Sequence, residues 1–366
     1  MQIAIIGLPM AGKTTVFNAL TGARARTGAY STPADANIAV VQVPDPRLEE
    51  LAKIFKPKKI VHATVEYVDA GGVVKGGARS EGISGQLLNQ ISKADALLNV
   101  VRAFQDESVP HPEETVDPRR DVANMDLELA YSDLAIIERR LDRLKESVHK
   151  VKPQERESGE REAELLSRIK VELEKEIPIR AQELTEEELF SIRAFQFLTA
   201  KPLLHVLNLG EDQLPRAVEI QTEVSTDYQW PQTAFTTLCA QVEAEVAELE
   251  PAEKQQFLEA MGITEPSVDR VIALSYQLLE YASFLTVGPD EVRAWTIRRN
   301  TTAVKAAGVI HSDLERGFIR AEVVSYSDLM RVGGSMVEAR KHGLLRLEGK
   351  AYPVQDGDIT NILFNV

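Results

Sequence analysis

Gly7-Leu8-Pro9-Met10-Ala11-Gly12-Lys13-Thr14 spells G-x-x-x-x-G-K-[ST] without a mismatch, and its neighbours decide how to read it. Ile3-Ala4-Ile5-Ile6 before it is an apolar run of strand length; Thr15 to Leu20 after it has a helical pattern that Gly22 can end. A strand, a glycine-rich turn and a helix, in that order, make a cradle for a triphosphate. The glycines let the backbone curl so that successive N–H groups point at phosphate oxygens. The helix N-terminus adds partial positive charge, Lys13 is placed to reach the β- and γ-phosphates, and the Thr14 hydroxyl is a candidate Mg²⁺ ligand. Leu8, Pro9, Met10, Ala11, Gly12, Lys13, Thr14 and Thr15 are therefore candidate contacts to a nucleoside triphosphate.

The 366 residues exceed one ordinary core, so two or three domains are expected. No apolar run approaches membrane-spanning length, and Lys13 inside the first apolar stretch argues against a signal peptide. The single cysteine, Cys239, excludes an internal disulfide framework and suits a reducing cytoplasm. A formal charge of −14 argues against a chain that wraps nucleic acid over its whole surface, while leaving room for a local basic face. The expected setting is cytoplasmic, without membrane contact.

Residues 23–37 are small and polar without a period, and read as a loop. Strands are expected at Ile38–Val43 and Thr64–Val68, with a helix over Arg47–Phe55 and a solvated basic break at Lys56-Pro57-Lys58-Lys59. The second of these strands runs into Asp69-Ala70-Gly71-Gly72. An Asp at a strand end, with Gly at D-x-x-G spacing, belongs beside a phosphate cradle. Asp69 would serve the Mg²⁺ shell and the Gly72 N–H the γ-phosphate. Gly76, Gly77, Gly82 and Gly85 make the following stretch read as a switch segment that orders around the triphosphate, against the plainer reading of a flexible loop.

Ala96–Val101 is a further strand, and 105–121 a polar, proline-rich loop holding His111. Leu127, Ala130, Leu134, Ile137, Leu141, Leu144 and Val148 then alternate steps of three and four, the seam of a coiled coil. Pro153 to Gly159 interrupts the pattern, and Leu166, Ile169, Leu173 and Ile177 resume it. The expectation is an antiparallel helical hairpin with a charged outer face. Thr185 and Glu188 then make a capping box that opens another helix.

Leu203–Leu207 and Ala234–Leu238 return to strand texture and end at Asn208-Leu209-Gly210-Glu211 and Cys239-Ala240. Asn208, Leu209, Glu211, Cys239 and Ala240 join the candidate nucleotide contacts. Guanine-specific switches carry [NT]-K-x-D at the first of these places. Leu209 cannot supply the lysine stem, and Glu211 sets its carboxylate one methylene further out. Guanine donors left without partners cost roughly 1–3 kcal/mol each, enough to remove a guanine preference. The Asn208 amide can pair with adenine N6 and N7, so ATP is expected over GTP. Val73 stands where Ras-like switches carry the glutamine that orients water. An apolar residue there hands the job to another group. His111 is the candidate, since imidazole can orient or polarise water near neutral pH; the plain alternative is a solvated loop histidine.

Helical patterns fill 241–283. From about Phe284 short β-rich runs (Arg293–Ile297, Phe318–Ser325, Tyr352–Val354, Ile359–Phe364) surround one helix at Thr302–Ile310, suggesting a small sheet with a helix across it.

Gly7–Thr14, Val41–Leu48, Val68–Gly76, Asn208–Glu211, Pro289–Thr296, Ala307–Ala321 and Gln355–Val366 together resemble the YchF-type ATPases of the Obg family, over almost the whole chain. The resemblance implies an α/β fold: a P-loop NTPase domain of the Ras-like G type at 1–122 and 200–283, a helical coiled-coil insertion at 123–199, and a C-terminal ubiquitin-like β-grasp (TGS) domain at 284–366. It also implies ATP preference through N-x-x-E, matched by Asn208 and Glu211, with Mg²⁺. Ribosome binding in translation or stress follows from it as well, with RNA contact through the arm and TGS domain, and a monomer is expected. The family's catalytic histidine lies in the loop after V-R-x-F, where Val101-Arg102-Ala103-Phe104 leads to His111. Two departures stand out. Met10 replaces the asparagine that helps hold K⁺ in related switches, which puts potassium activation in question. In the first switch Pro33 occupies the Mg²⁺-contacting threonine position, so Thr32 serves as a metal ligand only after a one-residue slip.

The leading expectation is thus a slow ATPase switch, possessing GTP binding as a secondary trait, that docks on ribosomes. A nucleotide sensor with negligible turnover is the alternative. A metabolic P-loop kinase is disfavoured, because neither the arm nor the tail closes over a small acceptor.

Overall fold

A computed structural model of the chain describes residues 1–22, 37–70, 85–147, 152–228, 230–247 and 266–365, with residues 249, 253 and 256. They fall into two compact units, Met1–Ala39 with Glu66–Val271 and Val40–Val65 with Ile272–Val366.

The first unit is built on β1 (Gln2–Gly7), β2 (Asn37–Gln42), β4 (Thr64–Asp69), β5 (Ala96–Arg102), β6 (Leu203–Asn208) and β7 (Thr233–Leu238). They form a six-stranded sheet in the order β2-β4-β1-β5-β6-β7. The pairs β1–β4, β1–β5, β5–β6 and β6–β7 are parallel. Every residue of β5 and β6 is buried, which explains why these strands read as near-continuous apolar runs, interrupted by Asn99 and His205, which bond each other at 3.1 Å, instead of alternating ones. In such sheets ligands gather at the carboxyl ends of the strands. Here those ends are Gly7, Asp69, Arg102, Asn208 and Leu238.

Helix α1 (Lys13–Thr21) follows β1 and stops at Gly22, whose left-handed backbone (φ 60°) ends it as expected. The helical hairpin consists of α4 (Pro118–Ser147) and α5 (Pro153–Leu173). Helix α4 uses two faces. Val122, Met125 and Leu129 pack into the cores beside the sheet. Further along, Ala130, Ile137 and Leu144 pack against Leu166, Ile169 and Leu173 of α5. Early in the second stretch lies Asp133, fully buried, whose carboxylate accepts from the Leu198 N–H (2.8 Å), the Thr199 N–H (2.8 Å) and the Thr199 hydroxyl (2.7 Å). Arg140 makes a two-pronged bond to Glu162 across the hairpin, 2.7 Å on each side. The capping box of Thr185 and Glu188 opens α6 (Glu186–Ile192) as read.

Two local readings change. Pro153–Gly159 is not an interruption: it forms the opening turns of α5. Pro153 sits at the first helical position, where no backbone N–H is required, and Gly159 continues the helix opposite Leu144 of α4. The loop holding His111 ends at Asp117, because α4 starts at Pro118. Asp117 caps it by accepting from the backbone N–H groups of Arg119 (3.1 Å) and Arg120 (3.2 Å).

The second unit is a six-stranded mixed sheet in the order β11-β10-β12-β8-β9-β3. Its strands are β3 (Lys59–Val61), β8 (Tyr281–Val287), β9 (Glu291–Arg298), β10 (Phe318–Ser325), β11 (Arg346–Glu348) and β12 (Asp358–Phe364). A helix at Ala303–Ile310 lays Ala303, Ala306 and Ala307 on Phe284 and Val323. β12 runs parallel to β8, with antiparallel β8–β9 and β10–β12 pairs on either side, the grasp arrangement expected of the C-terminal domain. The strand texture begins at Tyr281 instead of Phe284, and Tyr352–Val354 contributes only a Thr302–Pro353 bridge.

The hairpin belongs to the first unit, through the core contacts of Val122, Met125 and Leu129. Residues 40–65 belong to the second. Lys59 of the supposed basic break is in a strand that pairs with β9, and Arg47 binds both Asp45 (2.8 Å) and Asp356 (2.8 Å).

Candidate functional site

The loop between β1 and α1 holds three unusual backbone positions. Gly12 has φ 89°, and a β-carbon there would lie 2.4 Å from the Asn208 amide nitrogen. At Gly7 a β-carbon would meet the Val100 carbonyl oxygen at 2.5 Å. Met10 also has a positive φ of 62°, with its side chain exposed. Glycine is required at the first two for space as much as for torsion, and the result is a backbone curled ahead of a helix N-terminus.

Lys13 is buried, and its ammonium donates to the Leu8 carbonyl at 2.8 Å, folded back across the loop that carries it. Burial pushes its pKa down to about 8, with Asp69 pulling the other way. Thr14 donates its hydroxyl to an Asp69 carboxylate oxygen at 3.0 Å. The ends of two parallel strands thus bring a hydroxyl and a carboxylate together beside the loop. Hard oxygen donors of this kind suit Mg²⁺, which takes few protein ligands and keeps waters and phosphate oxygens for the rest. Thr15 lies half-buried in α1. Thr32, Gly72 and Val73 lie outside the described residues.

At the end of β6, the Asn208 amide is committed to the protein. Its Nδ2 donates to the Ala11 carbonyl (3.1 Å), and its Oδ1 accepts from the Ala240 N–H (3.1 Å). It ties the phosphate loop to the start of α8 (Ala240–Ala247), using one of its two amide hydrogens and one of its two acceptor positions. Leu209 points into the core with Val101, Val122 and Phe235, so only its backbone is left for a ligand. Glu211 is exposed at the start of a short 3-10 helix, Glu211–Arg216. Cys239 is buried, which raises its thiol pKa.

His111 reaches the same region. A cleft is lined by Leu8, Pro9 and Ala11 of the loop together with Arg102, His111 and Asp121. The imidazole is buried and both its nitrogens are engaged. Nε2 lies 2.9 Å from an Asp121 carboxylate oxygen, and Nδ1 accepts the Glu113 N–H at 3.1 Å. Arg120 binds the other Asp121 oxygen through Nε (3.0 Å) and Nη2 (2.9 Å). Arg102 is buried, donates to the Phe104 and Asp106 carbonyls, and leaves its Nη1 without a partner. Neither Asp121 nor Arg102 was among the sequence candidates. The Asp117-Pro118 pair, a helix-start signal, would have placed Asp121 in the first turn of α4.

A family model described as a 50S ribosome-binding GTPase matches residues 2–137. A YchF GTPase C-terminal model, described as a protein of unknown function, matches residues 281–365. The ribosome-binding ATPase YchF of Bacillus subtilis is 42% identical, with 100% of each chain covered. The chain belongs to the YchF family. YchF of Escherichia coli O157:H7 is 39% identical, over 100% of this chain and 99% of that one. The solved YchF GTPase of Schizosaccharomyces pombe superposes with a TM-score of 0.84 at 29% identity, covering 99% of this chain and 97% of that one. Membership in the YchF family accounts for the architecture in one stroke: a P-loop α/β domain, a helical hairpin inserted in it, and a grasp-like C-terminal sheet.

Proposed function

We propose that the chain is a nucleotide-dependent switch that binds ATP with Mg²⁺ at Gly7–Thr14, hydrolyses it slowly to ADP and phosphate, and associates with the ribosome. The observation that carries the chemistry is the loop itself: a buried lysine and a threonine–aspartate oxygen pair around a backbone that no β-carbon could enter. The names of the relatives, ribosome-binding ATPases, support the substrate and the partner.

In this reading the loop N–H groups and the N-terminus of α1 hold the phosphates, and Lys13 exchanges the Leu8 carbonyl for a phosphate oxygen. Thr14 and Asp69 would hold Mg²⁺, with Thr32 a further candidate; bound there, the ion neutralises charge on the β- and γ-phosphates. The loop and α8, tied by Asn208, form the floor on which the base rests, with Leu209, Cys239 and Ala240 supplying backbone and Glu211 the polar edge. His111 handles the attacking water in place of the missing glutamine. Its two protein partners keep turnover low until the loop that carries it rearranges. Residues 123–199 and the C-terminal domain are the surfaces offered to the ribosome.

Single-turnover hydrolysis of ATP and GTP, each with and without ribosomes, tests this reading. Preferential ATP turnover that ribosomes change, with co-sedimentation that depends on nucleotide, is the expected result. GTP bound at least tenfold tighter than ATP would remove the adenine preference. The absence of turnover under every condition would leave only a sensor.

A further inference from the structure

The hydrogen bonds around His111 assign a tautomer. Nδ1 accepts from a backbone N–H, that of Glu113, so in the neutral ring it carries no hydrogen. The ring proton is therefore on Nε2, facing Asp121. Asp121 cannot turn away, because Arg120 grips its other oxygen with two donors. The carboxylate is itself buried, which keeps solvent from competing for it. A carboxylate that takes the Nε2 hydrogen leaves the lone pair on Nδ1, where the Glu113 N–H, two residues along the loop, donates to it.

We propose that Asp121 is the positioning residue that fixes His111 in the Nε2–H tautomer and makes Nδ1 the nitrogen that takes a proton from the attacking water. This rests on His111 as the group that handles that water. In the step it serves, the water oxygen bonds the γ-phosphorus. The bond from that phosphorus to the β,γ-bridging oxygen breaks, and its electron pair leaves on ADP. One water proton passes to Nδ1 and the other stays on the phosphate. The resulting imidazolium is held by the Asp121 carboxylate until Nδ1 releases its proton to solvent. Before the step, the Glu113 N–H must leave Nδ1, an exchange within one short loop.

The Asp121→Asn variant separates this role from simple packing. Arg120 demands an acceptor, so the asparagine oxygen faces Arg120 and its NH₂ group faces Nε2. To accept at Nε2 the ring has to give up the Glu113 N–H and carry its hydrogen on Nδ1, which is the wrong nitrogen.

The test uses the full chain in three forms. Long-range ¹H–¹⁵N correlation spectra identify the His111 tautomer, with the signal assigned by its loss in His111→Ala. The wild type is expected to show Nε2–H and Asp121→Asn Nδ1–H. Single-turnover ATP hydrolysis is expected to fall at least tenfold in Asp121→Asn, with ATP affinity within twofold of wild type. A wild-type ring protonated on Nδ1 overturns the proposal without any Asp121 variant. So does Asp121→Asn turning over ATP at the wild-type rate while His111→Ala does not. If His111→Ala itself hydrolyses at the wild-type rate, the reading of His111 fails, and the proposal with it.

Discussion

Asn208 donates to the Ala11 carbonyl at 3.1 Å, so the residue that begins the base-reading motif is also a strut of the phosphate loop. Its other end holds the Ala240 N–H, and a β-carbon on Gly12 would collide with its amide. Replacing Asn208 with Ala strands a buried carbonyl and a buried N–H. A loss of about 1–3 kcal/mol in stability is expected in urea titrations. ATP and GTP affinities should fall together, by similar factors. A variant that loses ATP alone would restore the direct contact of this amide with adenine.

Lys13 makes nucleotide affinity depend on pH. Its folded-state pKa is lowered to about 8 from an ordinary value of 10.5. Between those values the unfolded chain holds a proton that the folded chain has released, so the stability of the free protein rises with pH across that window. Phosphate binding works in the opposite sense, because it requires the ammonium. Above pH 8 binding must draw in a proton, and affinity must weaken as pH rises. Calorimetry in buffers of different ionisation enthalpy should show uptake of a proton near pH 9 and little near pH 7. Affinity that stays constant across this range would contradict the assignment.

Met10 adopts a left-handed backbone that asparagine tolerates better than methionine does. Met10→Asn should therefore stabilise the protein, by about 0.5–1 kcal/mol in thermal or urea unfolding. It also places at this position the residue associated with K⁺ in related switches, so hydrolysis should be compared in K⁺ and Na⁺. A stimulation by K⁺ that appears only in the variant is the expected outcome. A destabilised variant would show that the methionine side chain has contacts worth more than the relieved torsion.

Asp133 is buried with three donors aimed at it, two of them backbone N–H groups. Asp133→Ala leaves those donors unsatisfied, and a cost of about 2–4 kcal/mol is expected. Asp133→Asn keeps one acceptor and should cost less. The ranking, measured by denaturant unfolding with unchanged slope, is the informative result. Equal effects would mean that the carboxylate charge or its second oxygen, lost in both variants, sets the cost.

What the sequence disclosed depended on the span of the interaction. Gly7–Thr14, the Gly22 stop and the Thr185–Glu188 cap are local and were legible, since each is a short stretch meeting one backbone geometry. Asp69 stands at the end of β4, a position that a strand's own pattern announces. Relations that close only in three dimensions were not legible. Arg47 meets Asp356 from the other end of the chain, and nothing near residue 47 announces it. The bonds of the Asn208 amide to Ala11 and Ala240 are of the same kind, since nothing near residue 208 shows either partner beside it. Asp121 was hidden for a simpler reason: treating 105–121 as loop removed the helix start that carries it.

Helix α4 carries Asp121 in its first turn and is pinned to the body at Asp133. At 1.5 Å per residue, Asp133 stands about 18 Å from Asp121 and about 21 Å from Ser147, near the middle of the rod. Between Asp121 and Asp133 the rod is also held to the body by the core contacts of Val122, Met125 and Leu129. A tilt of about 3° around Asp133 moves the Asp121 end by about 1 Å. That displacement is enough to take a 2.9 Å contact with His111 out of hydrogen-bonding range. The margin for such a tilt is set by those three side chains, which makes the grip on the imidazole a matter of core packing as much as of hydrogen bonding.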